Sequence, residues 1–305
     1  MSERSDVVII GGGVNGCAIA YYLSKLGIDV SVFERKYLSS GATGSCGAGI
    51  RQQWSTKENT ELAIQSVRMF EGLSDELGMD IEFSQGGYLI INHTDEELAQ
   101  SKKNVKMQKS LGLDVSMVSV DEITDIVPVL DVKGMDSVGA TFCPTDGHAN
   151  PFKTTFAYAH AAEQLGAKIH THTHTLVKNI KTNNNQVSEV ITDKGSVKTK
   201  WVVDAAGAWS SEIAKMVGIL IPNKPFRKEV LATERLEPLF KAMVISFKDG
   251  IYFSQQPEGN IVGGIPIPEQ RAGFYEMPTF SFIQHMSKTL TRYAPALRDI
   301  NMLRH

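Results

Sequence analysis

Apolar residues at the start of the chain follow the two spacings of an alternating α/β unit. A continuous apolar run at residues 6–10, bounded by glycines, predicts a strand buried on both faces. Helical spacing over residues 14–26 predicts a helix that Gly27 ends, and a second apolar run at residues 29–34 predicts a second strand. This order of strand, helix and strand indicates a parallel sheet covered by helices.

The rest of the chain indicates two domains that interleave. The alternation of strands and helices lapses after residue 82 and returns near residue 151, and strand-like runs broken by Gly and Pro follow residue 222. We predict an α/β domain of residues 1–82 and 147–221, interleaved with an antiparallel-sheet α+β domain of residues 83–146 and 222–305. The other helices are predicted over residues 58–77, 96–111, 151–165 and 281–293. The other strands are predicted over residues 86–91, 139–143, 168–180, 187–192, 201–204, 229–233, 243–246, 250–254 and 260–264.

Composition and charge exclude several classes of protein. The 305 residues are 42% hydrophobic and 21% charged, which is typical of a soluble globular protein and excludes a fibrous or mostly disordered one. The net charge is −3 and no run of Lys and Arg stands out, so nucleic acid is not an expected partner. The three cysteines are widely spaced and encode neither a disulfide framework nor a zinc site. Without a signal peptide or an apolar run long enough to span a bilayer, we expect a cytoplasmic protein with no transmembrane segment.

A glycine motif joins the first strand to the first helix. Gly11, Gly13 and Gly16 have the G-x-G-x-x-G spacing, and Glu34 ends the next strand. Such glycines allow a tight turn and let the backbone approach a pyrophosphate, which the helix N-terminus attracts, while the acid can bind ribose hydroxyls. The motif predicts a bound dinucleotide, and Glu34 favours FAD or NAD over NADP, although the neighbouring Arg35 weakens this preference.

Several further motifs resemble the D-amino-acid oxidase-like superfamily of FAD-dependent oxidoreductases. The Ser-, Thr- and Gly-rich loop over residues 38–49 resembles the segment that lies under the flavin in that superfamily. The motifs VDAAGAWS at residues 203–210 and TDGHANP at residues 145–151 are similar to two others of the superfamily. GAGIRQQW at residues 47–54 and the GGYL strand at residues 86–89 most resemble the β subunits of heteromeric sarcosine oxidase and of dye-linked L-proline dehydrogenase.

The resemblance implies a Rossmann-like FAD-binding domain, a substrate domain and a set of site residues. Arg51 is the candidate for binding a substrate carboxylate, with a structural ion pair as the alternative, and Tyr252 matches a substrate-domain tyrosine, with a core aromatic as the alternative. Val177 matches the residue whose backbone meets the adenine. The residues expected to bind FAD are Gly11, Gly13, Val14, Asn15, Gly16, Glu34, Arg35, Ser40, Ala42, Thr43, Gly47, Gly49, Ile50, Val177, Ala206, Gly207 and Trp209.

The activity that the resemblance implies is oxidation of a secondary or primary α-amino acid, similar to sarcosine or proline, to an imine by hydride transfer to FAD. One alternative is a flavin-dependent 2-hydroxy-acid or polyol dehydrogenase, and another is a catalytically silent dinucleotide-binding subunit of a complex. The chain ends at His305, where relatives usually continue with further flavin-covering elements. We therefore expect either a truncated chain or a partner subunit that completes the fold, with a small amino acid as the substrate.

Histidines and cysteines supply weaker candidates. His170, His172 and His174 alternate, so they would share one face of a strand, but a solvated face is favoured over a metal site. His148 is expected to be a loop residue satisfied by backbone rather than a neighbour of the flavin. Cys46, in the flavin loop, is interpreted as a small apolar residue, and no covalent flavin or bound metal is predicted.

Overall fold

The computed structural model describes residues 3–170, 174–268 and 270–305. In these residues the α-helices are α1 (Val14–Lys25), α2 (Lys57–Leu77), α3 (Asp95–Ser110), α4 (Val120–Ile126), α5 (Pro151–Gln164), α6 (Ser210–Lys215) and α7 (Phe280–Tyr293). The strands are β1 (Glu3–Arg4), β2 (Val7–Ile10), β3 (Val30–Phe33), β4 (Gly49–Ile50), β5 (Ser84–Gln85), β6 (Tyr88–Asn92), β7 (Ser116–Val118), β8 (Gly139–Cys143), β9 (Gly147–His148), β10 (Lys168–His170), β11 (Val177–Asn183), β12 (Gln186–Thr192), β13 (Ser196–Lys198), β14 (Trp201–Asp204), β15 (Val230–Arg235), β16 (Met243–Ser246), β17 (Tyr252–Gln255), β18 (Asn260–Gly264) and β19 (Met302–Arg304).

A parallel sheet in the order β10-β3-β2-β14 lies at the centre of the first half of the fold. Strand β2 is buried on both faces, as its continuous apolar sequence predicts. Val7 and Ile9 pack on the side of α1 and α5, where small residues such as Ala157 let the two helices approach. Val8 and Ile10 face the opposite side, against a second sheet in the order β1-β13-β12-β11. The result is a layered α/β unit in which β2 ends at the glycine motif.

The larger sheet has the order β19-β15-β18-β17-β16-β6-β8-β7. Its neighbouring strands are antiparallel except for β16 and β6, which run parallel with Met243 opposite Tyr88. The purely antiparallel prediction is wrong for this pair. The chain between these two strands runs through the other sheets, so no hairpin forces them to be antiparallel.

The two faces of the larger sheet have different neighbours. One face packs against α7 and α4 and is filled by apolar side chains, among them Phe253, Phe282 and Met286. The opposite face carries Tyr88 and Tyr252, which line a cavity. Alternation along each strand therefore separates the residues of the core from those of the cavity.

A short three-stranded sheet, β4-β9-β5, joins the end of the Ser-, Thr- and Gly-rich loop to the segment before β6. Gly49 and Ser84 both pair with His148 in this sheet. The strands of the larger sheet all lie within residues 83–146 and 222–305, and those of the parallel sheet within residues 1–82 and 147–221. The exact domain boundaries stay a prediction. No helix in the described ranges is long and apolar enough to cross a membrane.

Candidate functional site

The glycine motif forms a turn that leaves no room for side chains. Gly11 has φ +116°, and a Cβ there would collide with the carbonyl oxygen of Ala205. A Cβ on Gly16 would collide with the carbonyl oxygen of Gly11. Helix α1 starts after Gly13, which supplies no side-chain cap; the N–H of Val14 donates to the hydroxyl of Thr43 at 3.2 Å, and the positive end of the helix lines the neighbouring cleft. This backbone cradle fits a pyrophosphate.

Glu34 stands at the end of β3, as the motif predicts, and only 9% of it is exposed. The backbone N–H groups of Gly12 and Lys36 each donate to its carboxylate at 2.8 Å. These bonds hold the carboxylate at the floor of the cleft, where its remaining lone pairs can accept from ribose hydroxyls.

A cleft of about 310 Å³ runs from the glycine motif along the end of the parallel sheet. Val177 lies at its far side, and Trp209 contacts Arg35, whose guanidinium carbon is 3.7 Å from the centre of the indole ring. Glu276 accepts from Lys36 at 2.9 Å across the cleft. The predicted cofactor residues that line the cleft are Gly11, Gly13, Val14, Asn15, Glu34, Arg35, Ser40, Ala42, Thr43, Val177, Ala206, Gly207 and Trp209.

A second cavity of about 470 Å³ adjoins the first, and Val14 and Thr43 line both. The remaining predicted cofactor residues Gly47, Gly49 and Ile50 lie here rather than in the cleft. The predicted catalytic residues Arg51 and Tyr252 line the same cavity. The structure therefore brings both catalytic candidates together beside the end of the cleft. Gly16 lines neither space but supports the turn.

The Arg51 guanidinium has no anionic partner among the described residues, so the alternative of a structural ion pair finds no support there. Its Nε is buried and donates to no acceptor in the same ranges. The guanidinium carbon lies 4.1 Å from the ring centre of Trp54 and 5.4 Å from that of Phe247. Burial lowers the pKa of Arg51, but arginine stays protonated near neutral pH. The site thus holds a positive charge ready for an anion.

Tyr252 is partly exposed to the cavity rather than being a core aromatic. Its ring lies so close to Gly47 and Gly264 that a Cβ at either position would crowd it. Burial raises the pKa of Tyr252 to about 12. At neutral pH the hydroxyl is therefore protonated and can donate a hydrogen bond into the cavity.

Tyr88 is a cavity residue that the sequence analysis missed as a site candidate. Its hydroxyl lies against Gly49, where a Cβ would collide with it, and burial raises its pKa. Met243 and Ile245 extend the same wall along β16. The motif GGYL was a visible signal, but the face of the sheet on which Tyr88 lies depends on the pairing of β6 with β16.

The weaker candidates lie elsewhere. His148 belongs to β9 and not to a loop, and its buried Nε2 has no partner in the described chain, so the expectation of a backbone-satisfied loop residue is wrong. His170 ends β10 and stacks on Phe33, whereas His174 has φ +46° in a turn. These two histidines therefore do not share a strand, and His172 lies outside the described residues.

Cys46 is exposed at the rim of the second cavity, and its interpretation as a small apolar residue stays a prediction. Within the described ranges, no three His, Cys, Asp or Glu side chains are arranged to hold a metal.

Comparison with known proteins gives one consistent result. The profile of the family "DAO: FAD dependent oxidoreductase" matches residues 6–305. The chain is 28% identical to the sarcosine oxidase subunit beta of Arthrobacter sp over 98% of its own length and 74% of that subunit. It is 27% identical to the mitochondrial sarcosine dehydrogenase of Mus musculus over 96% of its length, but this spans only 33% of that enzyme. Among solved structures, L-proline dehydrogenase from P. horikoshii superimposes with a TM-score of 0.92 and 37% identity, covering all of this chain and 80% of that one.

Proposed function

Because this chain belongs to the DAO family of FAD-dependent oxidoreductases, we propose that it oxidises a small secondary or primary α-amino acid, of the sarcosine or proline type, to an imine. The observation that carries the proposal is the guanidinium of Arg51, which has no anionic partner among the described residues and lies in a cavity that adjoins the dinucleotide cleft. When bound, FAD supplies the two-electron acceptor for this oxidation.

The glycine cradle and the cleft are the proposed seat of FAD. The amide-rich turn from Gly11 to Gly16 would hold the pyrophosphate, and Glu34 would accept from a ribose. Val177 and Trp209 line the part of the cleft that is left for the adenine. Gly47 and Gly49 line the second cavity, and their lack of side chains lets the rings of Tyr252 and Tyr88 pack against this segment.

Arg51 would bind the carboxylate of the substrate. A guanidinium presents two parallel N–H donors to a carboxylate, and partial burial between Trp54 and Phe247 strengthens the attraction. The wall formed by Met243 and Ile245 suits an aliphatic or cyclic side chain better than a charged one. Tyr252 would donate a hydrogen bond into the same space and help to orient the substrate.

The relatives support this substrate class. The names of the similar proteins contain sarcosine and L-proline, and the proline dehydrogenase is 37% identical to this chain. The Arthrobacter relative is named a subunit, so we propose that this chain also works with a partner subunit.

Anaerobic addition of single substrates to the FAD-loaded protein tests the proposal. We expect sarcosine, proline or a related N-alkyl or cyclic amino acid to bleach the visible absorbance of the oxidised flavin. A 2-hydroxy acid should leave the spectrum unchanged. Bleaching by the hydroxy acid alone would replace the proposal with a hydroxy-acid dehydrogenase, and no bleaching by any compound would indicate a silent subunit.

A further inference from the structure

A fully buried carboxylate lies directly behind the Arg51 segment. Asp146 has no exposed surface and forms no ion pair with any described residue. Its Oδ1 accepts from the backbone N–H of Gln52 at 2.7 Å and from the side-chain amide of Gln52 at 3.2 Å. Its Oδ2 accepts from the side-chain amide of Gln53 at 3.1 Å. Asp146 thus binds the two residues that follow Arg51.

Gln53 connects this carboxylate to the cavity wall. Its amide nitrogen also donates to the carbonyl oxygen of Tyr88 at 2.9 Å, and its amide oxygen accepts from the hydroxyl of Thr141 at 2.7 Å. The backbone N–H of Gly87 donates to the carbonyl oxygen of Asp146 at 2.9 Å. These bonds join the segment after Arg51 to β6 and β8. They therefore fix the position of this segment relative to the larger sheet.

Arg51 has few other constraints. Its side chain forms no ion pair with any described residue and rests between two rings that are themselves partly exposed, Trp54 at 39% and Phe247 at 64%. The indole N–H of Trp54 donates to the carbonyl oxygen of Arg51 at 3.0 Å, which fixes the turn but not its place relative to the sheet. The pairing of β4 with β9 holds the residues before Arg51, and the hydrogen bonds to Asp146 hold the two residues after it.

A buried carboxylate held only by neutral donors is costly, and proteins keep such groups mainly where they serve a site. Burial raises the pKa of Asp146 to about 6. The titratable groups that interact with it are Arg51, Tyr88 and Cys143. The positive charge of Arg51 is the one that favours the ionised form of Asp146.

We propose that Asp146 is a positioning residue, which holds residues 51–54 against the larger sheet so that the Arg51 guanidinium is placed to receive the substrate carboxylate. This inference rests on the proposed function.

The test compares Asp146→Asn with the parent protein, both loaded with FAD. Asparagine keeps one acceptor oxygen for Gln52 but presents an N–H₂ group to the N–H₂ group of Gln53, so the network must break or rearrange. We expect KM for the amino acid to rise about ten-fold, a usual coupling for residues in one network, with a much smaller change in kcat. A KM equal to or below that of the parent would overturn the proposal, because the lost negative charge alone should tighten carboxylate binding.

A double-mutant cycle separates this inference from the proposed function. If Asp146 acts through Arg51, Asp146→Asn should lower kcat/KM in the parent but not in an Arg51→Gln background. An equal loss in both backgrounds would overturn the inference alone. An Arg51→Gln variant with the parent kcat/KM would overturn the proposed function itself.

Two further variants guard against a general folding defect. Thr233→Val removes a buried hydroxyl that accepts from the N–H of Ile261 at 2.9 Å, far along the same sheet, and should leave KM unchanged. Gln53→Met leaves Asp146 in place but removes the amide that joins its Oδ2 to Tyr88 and Thr141, and it should also raise KM. If Gln53→Met folds and keeps the parent KM, the proposal fails even where Asp146→Asn does not fold.

The dependence of KM on pH distinguishes a positioning role of Asp146 from a merely structural one. A proton on the Asp146 carboxylate would oppose one of the three N–H groups that donate to it, so these hydrogen bonds weaken. KM should therefore rise as the pH falls through about 6. Asp146→Asn should remove that rise while leaving the effects of other groups. A profile that is identical in the two proteins would contradict the inference.

Discussion

Arg51 is the residue on which substrate binding depends in this account. Sequence motifs placed it beside the flavin loop, and the structure adds that it has no anionic partner in the described ranges and that its Nε is buried. No local pattern could show this, because a partner for Arg51 could come from any segment that folds against it. A charge kept free inside a cavity indicates binding of an anion from outside.

Replacing Arg51 by glutamine should therefore raise KM for the amino acid on the order of 100-fold, the usual effect of truncating one partner of a desolvated charge pair. The value of kcat should change much less, because the carboxylate is bound in the ground state and in the transition state alike. Steady-state kinetics over a range of substrate concentrations measures both quantities. Arg68→Gln, on the exposed face of α2, is the matched control and should leave KM unaltered.

A single added carbon atom at Gly16 tests whether the glycine turn holds the cofactor. A Cβ added by Gly16→Ala would collide with the carbonyl oxygen of Gly11, so the turn must open and FAD should bind far more weakly. Gly72→Ala is the control, because a Cβ there meets nothing within 4 Å and glycine in a helix interior costs about 0.5–1 kcal/mol relative to alanine. FAD retained after gel filtration and the free energy of unfolding measure the two effects. Full FAD content in Gly16→Ala would refute the assignment of the cradle.

Among the elements, those with strong periodicity were predicted well. Strand β2 and helices α1, α2 and α7 all lie within a few residues of their predicted bounds. Strand β7 and helix α4 were missed because each is short, although Ser119 and Glu122 form a capping box that the sequence already displays. The parallel pairing of β6 with β16 could not be predicted from the sequence, because the two strands are about 150 residues apart and no local signal sets their relative direction.

Helix α5 depends on a cap that the motif TDGHANP supplies. The side chain of Asn150 accepts from the N–H groups of Phe152 and Lys153, both at 3.1 Å, and donates to Glu82 at 2.8 Å. Asn150→Ala should therefore lower the free energy of unfolding by about 1–2 kcal/mol. Thr56→Ala is the control, because Thr56 precedes α2 without a side-chain cap bond. Urea denaturation with unchanged m-values measures the difference, and an equal loss in the two variants would show that capping is not its cause.

The whole molecule brings two separately predicted sets of residues to one place. Glycines of the first 16 residues form the wall of the cleft, and residues of β16 and β17, more than 220 positions later, form the wall of the adjoining cavity. The motifs identify each set because local spacing determines a turn or a strand. Their adjacency depends on the short sheet β4-β9-β5 and on the register of the larger sheet, which only the folded chain determines.

The most direct test of the central claim compares matched substrates with and without a carboxylate. FAD-loaded protein is mixed anaerobically with proline or with pyrrolidine, and with sarcosine or with dimethylamine, at equal concentrations, and the visible absorbance of the flavin is followed. We predict that at least one of the two amino acids reduces the flavin while its decarboxylated counterpart does not, because only the amino acid can bind Arg51. Equal reduction by both members of a pair, or reduction by neither amino acid, would contradict the account.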